Sequence, residues 1–510
     1  MDRAAKVYLV GAGPGDPGLL TVRGLELLRE ADLVLFDPMV DERVLRHVRD
    51  GAELIDIGAW PGGGPPTQQE VNALLVKHAR EGKTVVRLKN GDPFVLGRGE
   101  EEAEALAAAE LPFEIVPGVT SAVAAPAYAG IPLTYPGLAA SFTVVSGGED
   151  PSTEESLIDW RALATGAGTL VVLMGWESLP GTVDVLRAEG MDEETPAALV
   201  EWGTEPRQRT VVGVLSDIVP RGRKAGLRPP VVAIFGKVVS LRDRMRWYDN
   251  QPLSGRRIMV TRSSSQAGEL TDLLAREGAE SVELPCIEVQ PLKDDSPLRD
   301  AAARLDSYRW VVFTSVNGVD AFWRALEGCG MDARAFGGVR VAAIGPATAR
   351  SLARRGIAAD YVPVEYVAEA LLEGLGAHVR SGDTVLVPRA EGAREVLVEG
   401  LRARGVTVDA LVAYRTTLPQ SSGDRARRLL QENTIDVVTF ASSSTVRNLV
   451  TMLQKEVRLL ERTLVACIGP ATAATAEELG LRVDIRASEY TLPGLVTAIK
   501  EHFDHPSFDM

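Results

Sequence analysis

Cysteine is scarce: the 510 residues hold 3, at Cys286, Cys329 and Cys467. Their spacing excludes a disulfide framework and a cysteine-based zinc site, and it points to a reducing, cytoplasmic setting. Histidine is scarce as well. His47, His78, His378, His502 and His505 form no HxxxH pair, so no metal is expected. Positive charge falls short of negative, with 55 Lys and Arg against 70 Asp and Glu and a net charge of −15. That balance excludes a nucleic-acid coat or an anionic membrane surface as partner. An anionic small molecule stays possible, because a local group of donors can hold it. The longest stretch without charge, Ile115–Gly148, is broken by Pro117, Pro126, Pro132 and Pro136, which a membrane-spanning helix would not tolerate. Met1-Asp2-Arg3 leads straight into a strand-like run without a signal-peptide pattern.

What is present is ordinary globular composition, 45% hydrophobic and 25% charged, over a length that accommodates roughly three or four folding units. The first half alternates apolar strands with amphipathic helices. Val7–Val10, Leu33–Phe36, Thr84–Leu88, Phe142–Val145, Leu170–Leu173, Val211–Leu215 and Val231–Ile234 read as strands, with helices over Leu19–Ala31 and Val71–Arg80. This predicts an α/β fold in two lobes, with a hinge near Leu133–Gly137. A linker is read at 248–254, and a new strand opens at Arg257.

The second half repeats itself. Ile258-Met259-Val260-Thr261-Arg262 returns as Val385-Leu386-Val387-Pro388-Arg389. FTSVNGV from Phe313 returns as FASSSTV from Phe440, and VAAIGPATA from Val341 as VACIGPATA from Val465. Two similar α/β lobes facing one cleft is the economical reading.

Three glycine-rich turns carry the chemistry of the first half: Gly11–Gly18, Lys89–Gly99 and Val116–Ala122. Each follows a strand, where ligands of α/β proteins bind. The first turn alone admits a dinucleotide site with Asp37 as the ribose acid, or a purely structural turn, since Pro14 and Pro17 remove backbone donors. No Gly-Lys-Ser/Thr follows, which excludes an NTPase loop.

GAGPGDPGLLT, VRLKNGDPFVLGRG, VPGVTSAVAAPAYAGIPLT and Gly203-Thr204, in that order, resemble the uroporphyrinogen-III C-methyltransferases of the tetrapyrrole methylase group. The resemblance covers about residues 5–247 and implies a domain over 1–247, with lobes at about 1–133 and 138–247. It implies S-adenosyl-L-methionine as cofactor, a homodimer, and cofactor contacts at Pro14, Asn90, Gly91, Asp92, Val95, Thr120, Ser121, Met174 and Gly203. It also implies Asp37 as proton acceptor and Arg98 as an arginine on the substrate side. The chain departs from the family pattern at Gly58-Ala59-Trp60, Thr134-Tyr135-Pro136 and Ser146-Gly147-Gly148. The family usually has Gly-Lys-Arg, Thr-His-Arg and Thr-Gly-His there, so basic or ionisable groups are missing at 59, 60, 135, 136 and 148. Asn90 stands where the family has glycine.

In the second half the loops Thr314–Asn317 and Ser442–Thr445, with the two GPATA segments, present hydroxyls and free N–H groups at helix starts. They suit helix capping or a substrate carboxylate. The candidate substrate contacts are Arg262, Thr314, Ser315, Gly345, Thr348, Arg389, Ser442, Ser443 and Thr472. PLSGRRIMVTR, FTSVNGVDAF, VAAIGPATA, VAYRTT and FASSSTVRNL resemble uroporphyrinogen-III synthase. That resemblance implies two flavodoxin-like lobes joined by a β-ladder over residues 255–510, one lobe from 255–291 plus 419–510 and the other from 292–418. Tyr414, read as following the strand Ala410–Ala413, matches the tyrosine that assists loss of the hydroxyl from hydroxymethylbilane.

Together the resemblances imply cyclisation to uroporphyrinogen III followed by methylation to precorrin-2, on the way to sirohaem or cobalamin. A second reading keeps the synthase and makes the first half an inactive module or one with another acceptor. A third treats the halves as a nicotinamide oxidoreductase and an anion-binding module.

Overall fold

Short apolar runs bounded by glycine are buried when a parallel sheet carries helices on both faces. The computed structural model describes residues 6–59, 64–148, 157–262 and 264–504; Trp60 and His505 lie outside the described residues. Strands β1 (Val7–Gly11), β2 (Leu33–Phe36), β3 (Glu53–Asp56), β4 (Val85–Lys89) and β5 (Phe113–Val116) form a sheet of order β3-β2-β4-β1-β5. All of its pairings are parallel. Val71, Leu75, Ala103 and Leu106, from helices Gln68–Arg80 and Gly99–Ala108, pack on one face. Leu27 and Leu28 of helix Val22–Leu28 pack on the other.

That last helix starts later than its apolar pattern predicts. Asp16 caps a single 3-10 turn at Pro17–Leu19, Leu20 and Thr21 are extended, and the Thr21 hydroxyl then caps Val22–Leu28. Two successive capping side chains divide what periodicity alone reads as one helix.

Because every strand of this sheet runs the same way, the turns after β1, β2, β4 and β5 converge on one edge. A second sheet follows, from β6 (Phe142–Ser146), β7 (Thr169–Leu173), β8 (Pro196–Glu201), β9 (Arg209–Val214) and β10 (Val231–Phe235), in the order β6-β7-β10-β8-β9. Here β6 and β7 are parallel and the remaining pairings antiparallel. One polar contact crosses between the lobes at Asp16 and Thr204, and two tyrosines fix its ends. The Asp16 amide donates to Thr204 Oγ1 at 3.1 Å, the Tyr128 hydroxyl donates to Asp16 Oδ2 at 2.7 Å, and the Tyr248 hydroxyl donates to the Thr204 carbonyl at 3.3 Å.

The chain divides into two compact units. One holds the described residues up to Ile258, with Gly268–Val282 and those from Val496; the other holds Met259–Ala267 with Glu283–Leu495. The later strands are β11 (Arg257–Val260), β12 (Glu280–Glu283), β13 (Glu288–Pro291), β14 (Trp310–Phe313), β15 (Arg340–Ala343), β16 (Thr384–Ala390), β17 (Thr407–Thr417), β18 (Val437–Phe440), β19 (Leu464–Cys467) and β20 (Ile485–Arg486). They form sheets of order β12-β11-β18-β19-β20 and β13-β17-β16-β14-β15.

The sequence repeat is matched in backbone detail. Ser315 and Ser442 cap helices at φ −165° and −164°. Asp360 and Asp484 accept from the amides of Val341 and Val465 at 2.7 and 2.9 Å. Two expectations are corrected. The segment 255–291 does not stay with one lobe, because β13 pairs antiparallel with β17, whose 11 residues outrun β16 and offer an edge. Tyr414 does not follow its strand but lies within β17, opposite Pro291 and, across a bulge at Arg389/Ala390, opposite Ala390. Among the described residues no helix is long and apolar enough to cross a membrane.

Candidate active site

Glycine contacts fix the convergent edge. A Cβ on Gly118 would lie 2.2 Å from the Gly91 carbonyl oxygen and 2.6 Å from Gly11 Cα; one on Gly11 would lie 2.5 Å from Gly118 Cα. Only glycine lets three turns from β1, β4 and β5 meet this closely. Gly13 and Gly91 add a reciprocal pair of backbone hydrogen bonds, at 3.2 and 2.8 Å. Asp92 closes the arrangement, accepting from the Gly118 amide at 2.9 Å and the Phe94 amide at 2.8 Å.

Above this edge lies a cavity of about 600 Å³. It is lined by Pro14, Asp37, Asn90, Gly91, Asp92, Val95, Arg98, Thr120, Ser121, Met174 and Gly203, which brings together every position expected from the first half. Trp176, Glu177 and Trp202 also line it and are not among the expected contacts. Backbone strain marks two lining positions beyond the expected set, Leu96 and Trp202. Among the described residues eight non-glycine residues have positive φ, and four of them line this cavity: Leu96 (54°), Arg98 (58°), Met174 (55°) and Trp202 (48°). Such strain persists where the surroundings fix it, commonly at functional sites.

Asp37, 21% exposed, is held by two donors. Arg87 Nη2 reaches Oδ1 at 2.5 Å and the Asn90 amide reaches Oδ2 at 2.9 Å. Arg98 lies in the open, with its guanidinium forked onto Glu101 at 2.6 and 2.9 Å. The charged lining is thus Asp37, Asp92 and Glu177 against this one paired arginine. That balance suits a cationic ligand.

Asn90 carries the most direct sign of a ligand. Its Oδ1 is buried and has no hydrogen-bond partner, and the residue lines the cavity. An unpaired buried acceptor costs about 1–3 kcal/mol, which a ligand N–H would recover. The residues present therefore fit a compact adenosyl sulfonium with an ammonium group. Asn90→Ala is expected to weaken binding of S-adenosyl-L-methionine about tenfold, while the free protein melts no lower than the parent. Titration calorimetry and thermal unfolding measure the two quantities; unchanged affinity refutes the assignment.

The second-half candidates are more dispersed. Ser315 Oγ accepts from the Gly318 amide at 2.9 Å and lies 2.9 Å from the Tyr414 hydroxyl, so these two are brought together. Tyr414 is 5% exposed. Burial raises its pKa, partly offset by hydrogen bonds from Ser315 and Asn317. Thr314 joins β14 to the helix Val316–Gly328 and is half-buried. Gly345 caps the helix Pro346–Ala353 with extended backbone, under the ring of Tyr366, and Thr348 is buried inside that helix. Ser442 caps the helix Ser443–Leu453. Ser443 donates to the Ala471 carbonyl at 3.1 Å, and Thr472 is buried one residue on. Arg389 is engaged by Glu395 and the Ala393 carbonyl, and Arg262 is half-buried just after β11. Capping accounts for the Ser315 and Ser442 hydroxyls, and Ser442–Thr445 is mostly helix rather than loop.

The family model for tetrapyrrole (corrin/porphyrin) methylases matches residues 6–219, and that for uroporphyrinogen-III synthase HemD matches residues 268–497. The porphyrin biosynthesis protein HemD of Ruminiclostridium josui is 36% identical over 495 residues, covering 97% of each chain. The S-adenosyl-L-methionine-dependent uroporphyrinogen III methyltransferase of Methanosarcina barkeri is 45% identical over 47% of this chain and 93% of its own. A solved structure of the uroporphyrin-III C-methyl transferase from Thermus thermophilus, complexed with S-adenyl homocysteine, is 42% identical over 46% of this chain and 99% of its own, with TM-score 0.40. The enzyme classes are therefore S-adenosyl-L-methionine-dependent C-methyltransferase and uroporphyrinogen-III synthase. The chain belongs to the porphyrin-biosynthesis HemD family, in which a tetrapyrrole methylase precedes the synthase. Membership displaces the nicotinamide reading.

Proposed function

We propose that this tetrapyrrole-biosynthesis enzyme cyclises hydroxymethylbilane to uroporphyrinogen III and then methylates that product twice, giving precorrin-2. The observation that supports it best is the single cavity that gathers Asp37, Asn90 and the three glycine turns. When bound there, S-adenosyl-L-methionine supplies an electrophilic methyl group. Asn90, with Thr120 and Ser121 at the start of the helix Ser121–Tyr128, holds the cofactor's polar groups. Asp37 sits at the cavity wall with its carboxylate oriented from behind by Arg87 and the Asn90 amide. There it accepts the proton released from the acceptor carbon. The apolar walls at Leu173, Val200, Val231 and Val232 exclude water from the transfer.

In the synthase half, Tyr414 donates its hydroxyl proton toward the departing hydroxyl of the bilane, with Ser315 as its hydrogen-bond partner. Tyr414→Phe is expected to slow cyclisation about tenfold or more and to leave methylation of supplied uroporphyrinogen III unchanged. An unchanged cyclisation rate removes the tyrosine from the mechanism. The proposed assembly is a homodimer through the methylase part, acting on small molecules without nucleic acid, in the cytoplasm, on the route to sirohaem or cobalamin.

One observation favours a narrower reading. Among the described residues, the only cation lining the cavity is Arg98, already paired with Glu101, whereas uroporphyrinogen III carries many carboxylates. Incubation with hydroxymethylbilane, with and without S-adenosyl-L-methionine, separates the two. Uroporphyrin III without cofactor and a methylated product with it support both activities. Uroporphyrin III alone in both cases leaves the synthase and assigns the first half another acceptor or none.

A further inference from the structure

Two cations on one buried strand need an explanation that packing does not supply. Arg87 and Lys89 alternate with Val86 and Leu88 on β4, so both point to the face covered by the helices Gln68–Arg80 and Gly99–Ala108. Both are buried, and both bond the same oxygen of Glu102: Arg87 Nε at 3.0 Å and Lys89 Nζ at 2.9 Å from Oε1. Glu102 itself is 0% exposed. Gln68 Nε2 reaches the same oxygen at 3.4 Å, and Oε2 has no partner. Burial and the neighbouring Arg87 push the Lys89 pKa down, while Asp37 and Glu102 hold the Arg87 charge against burial. A buried pair of this kind is weak evidence for stability, since its desolvation offsets its attraction. Its geometry links two carboxylates instead: the Arg87 guanidinium is held by Glu102 through Nε, and its Nη2 reaches Asp37 Oδ1 at 2.5 Å.

We propose that Glu102 is a positioning residue for methyl transfer. It fixes the plane of the Arg87 guanidinium, and through it the aim of the Asp37 carboxylate into the cavity. Lys89 balances the charge, so that Arg87, Lys89, Glu102 and Asp37 together carry no net charge. The inference rests on Asp37 as the proton acceptor. Without Glu102 the guanidinium loses its Nε anchor and is held only from Nη1, by the Leu35 and Leu88 carbonyls, so Nη2 is less tightly aimed at the carboxylate.

The test uses the full chain with uroporphyrinogen III and S-adenosyl-L-methionine. Glu102→Gln is expected to lower kcat for methylation about tenfold or more, as a misaimed group does. KM for uroporphyrinogen III and calorimetric Kd for S-adenosyl-L-methionine should stay within about twofold. If Glu102→Gln fails to fold, the charge-balanced pair Lys89→Met with Glu102→Gln retains the Arg87–Asp37 ion pair and takes its place, with the same split expected. An unchanged kcat overturns the proposal, and so does a loss of cofactor affinity in step with kcat, which marks a structural role. Asp37→Ala run alongside separates the two layers. If it keeps the parent kcat, the Asp37 reading fails and the positioning role fails with it. If it abolishes methylation while Glu102→Gln does not slow it, only the positioning role falls.

Discussion

Asp37→Ala is expected to lower the rate of methylated product about a hundredfold or more, the usual contribution of a positioned base, with cyclisation of hydroxymethylbilane unaffected. The argument is geometric. Both carboxylate oxygens already accept one donor each, Arg87 Nη2 and the Asn90 amide, which leaves a lone pair on each oxygen for the cavity. Alanine removes the acceptor and leaves Arg87 with Glu102 and two backbone carbonyls, those of Leu35 and Leu88, so the guanidinium is not stranded and the fold survives. Calorimetry with S-adenosyl-L-methionine checks that the cavity is intact. Chromatography of the oxidised products then reads methylation directly. Full methylation with normal cofactor affinity would assign proton removal to water or to the substrate itself.

Gly118→Ala should have an effect of similar size by another route. The new methyl group would stand 2.2 Å from the Gly91 carbonyl oxygen and 2.6 Å from Gly11 Cα. Both obstacles are backbone, continuous with β4 and β1, so neither can swing aside as a flexible side chain would. Overpacking usually costs about 1–3 kcal/mol, and sometimes more; a clash with two strand ends belongs at the upper end of that range. The turn after β5 must lift, the hydrogen bond from the Gly118 amide to Asp92 must break, and Thr120 and Ser121 move away from the cavity. Expected are a lower melting transition and loss of S-adenosyl-L-methionine binding. Parent values for both would show that the turns have room the packing denies.

Much of this site was legible in the chain because it depends on local chemistry. A turn that must bring backbone against backbone requires glycine, and the three turns carry it at Gly11, Gly91 and Gly118. Strands such as Leu33–Phe36 and Arg257–Val260 were legible to the residue because unbroken apolar runs with charged or glycine flanks leave few alternatives. What stayed hidden depends on partners far along the chain. Nothing near Glu102 in sequence reveals that it lies against Arg87 and Lys89; the charged first turn of its helix reads as a solvated face. Trp202 adjoins the expected Gly203, and its backbone conformation rather than its side-chain type marks it. The capping roles of Ser315 and Ser442 were readable as one of two options, and both serines do cap the helices starting at Val316 and Ser443. The late start of the helix at Val22 and the pairing of β13 with β17 are choices between close alternatives, made by caps and by a free strand edge.

The bulge between β16 and β17 bears on which changes of chain length this enzyme can survive. Along β17 Ala413 and Tyr414 are two consecutive buried residues, at the point where the pairing with β16 shifts by one. The extra residue is what turns the tyrosine hydroxyl inward to Ser315. Losing one residue there would rotate Tyr414 to the outer face without disturbing the composition of the strand. Length changes in descendants of this gene should therefore collect in the turns and avoid Val412–Tyr414.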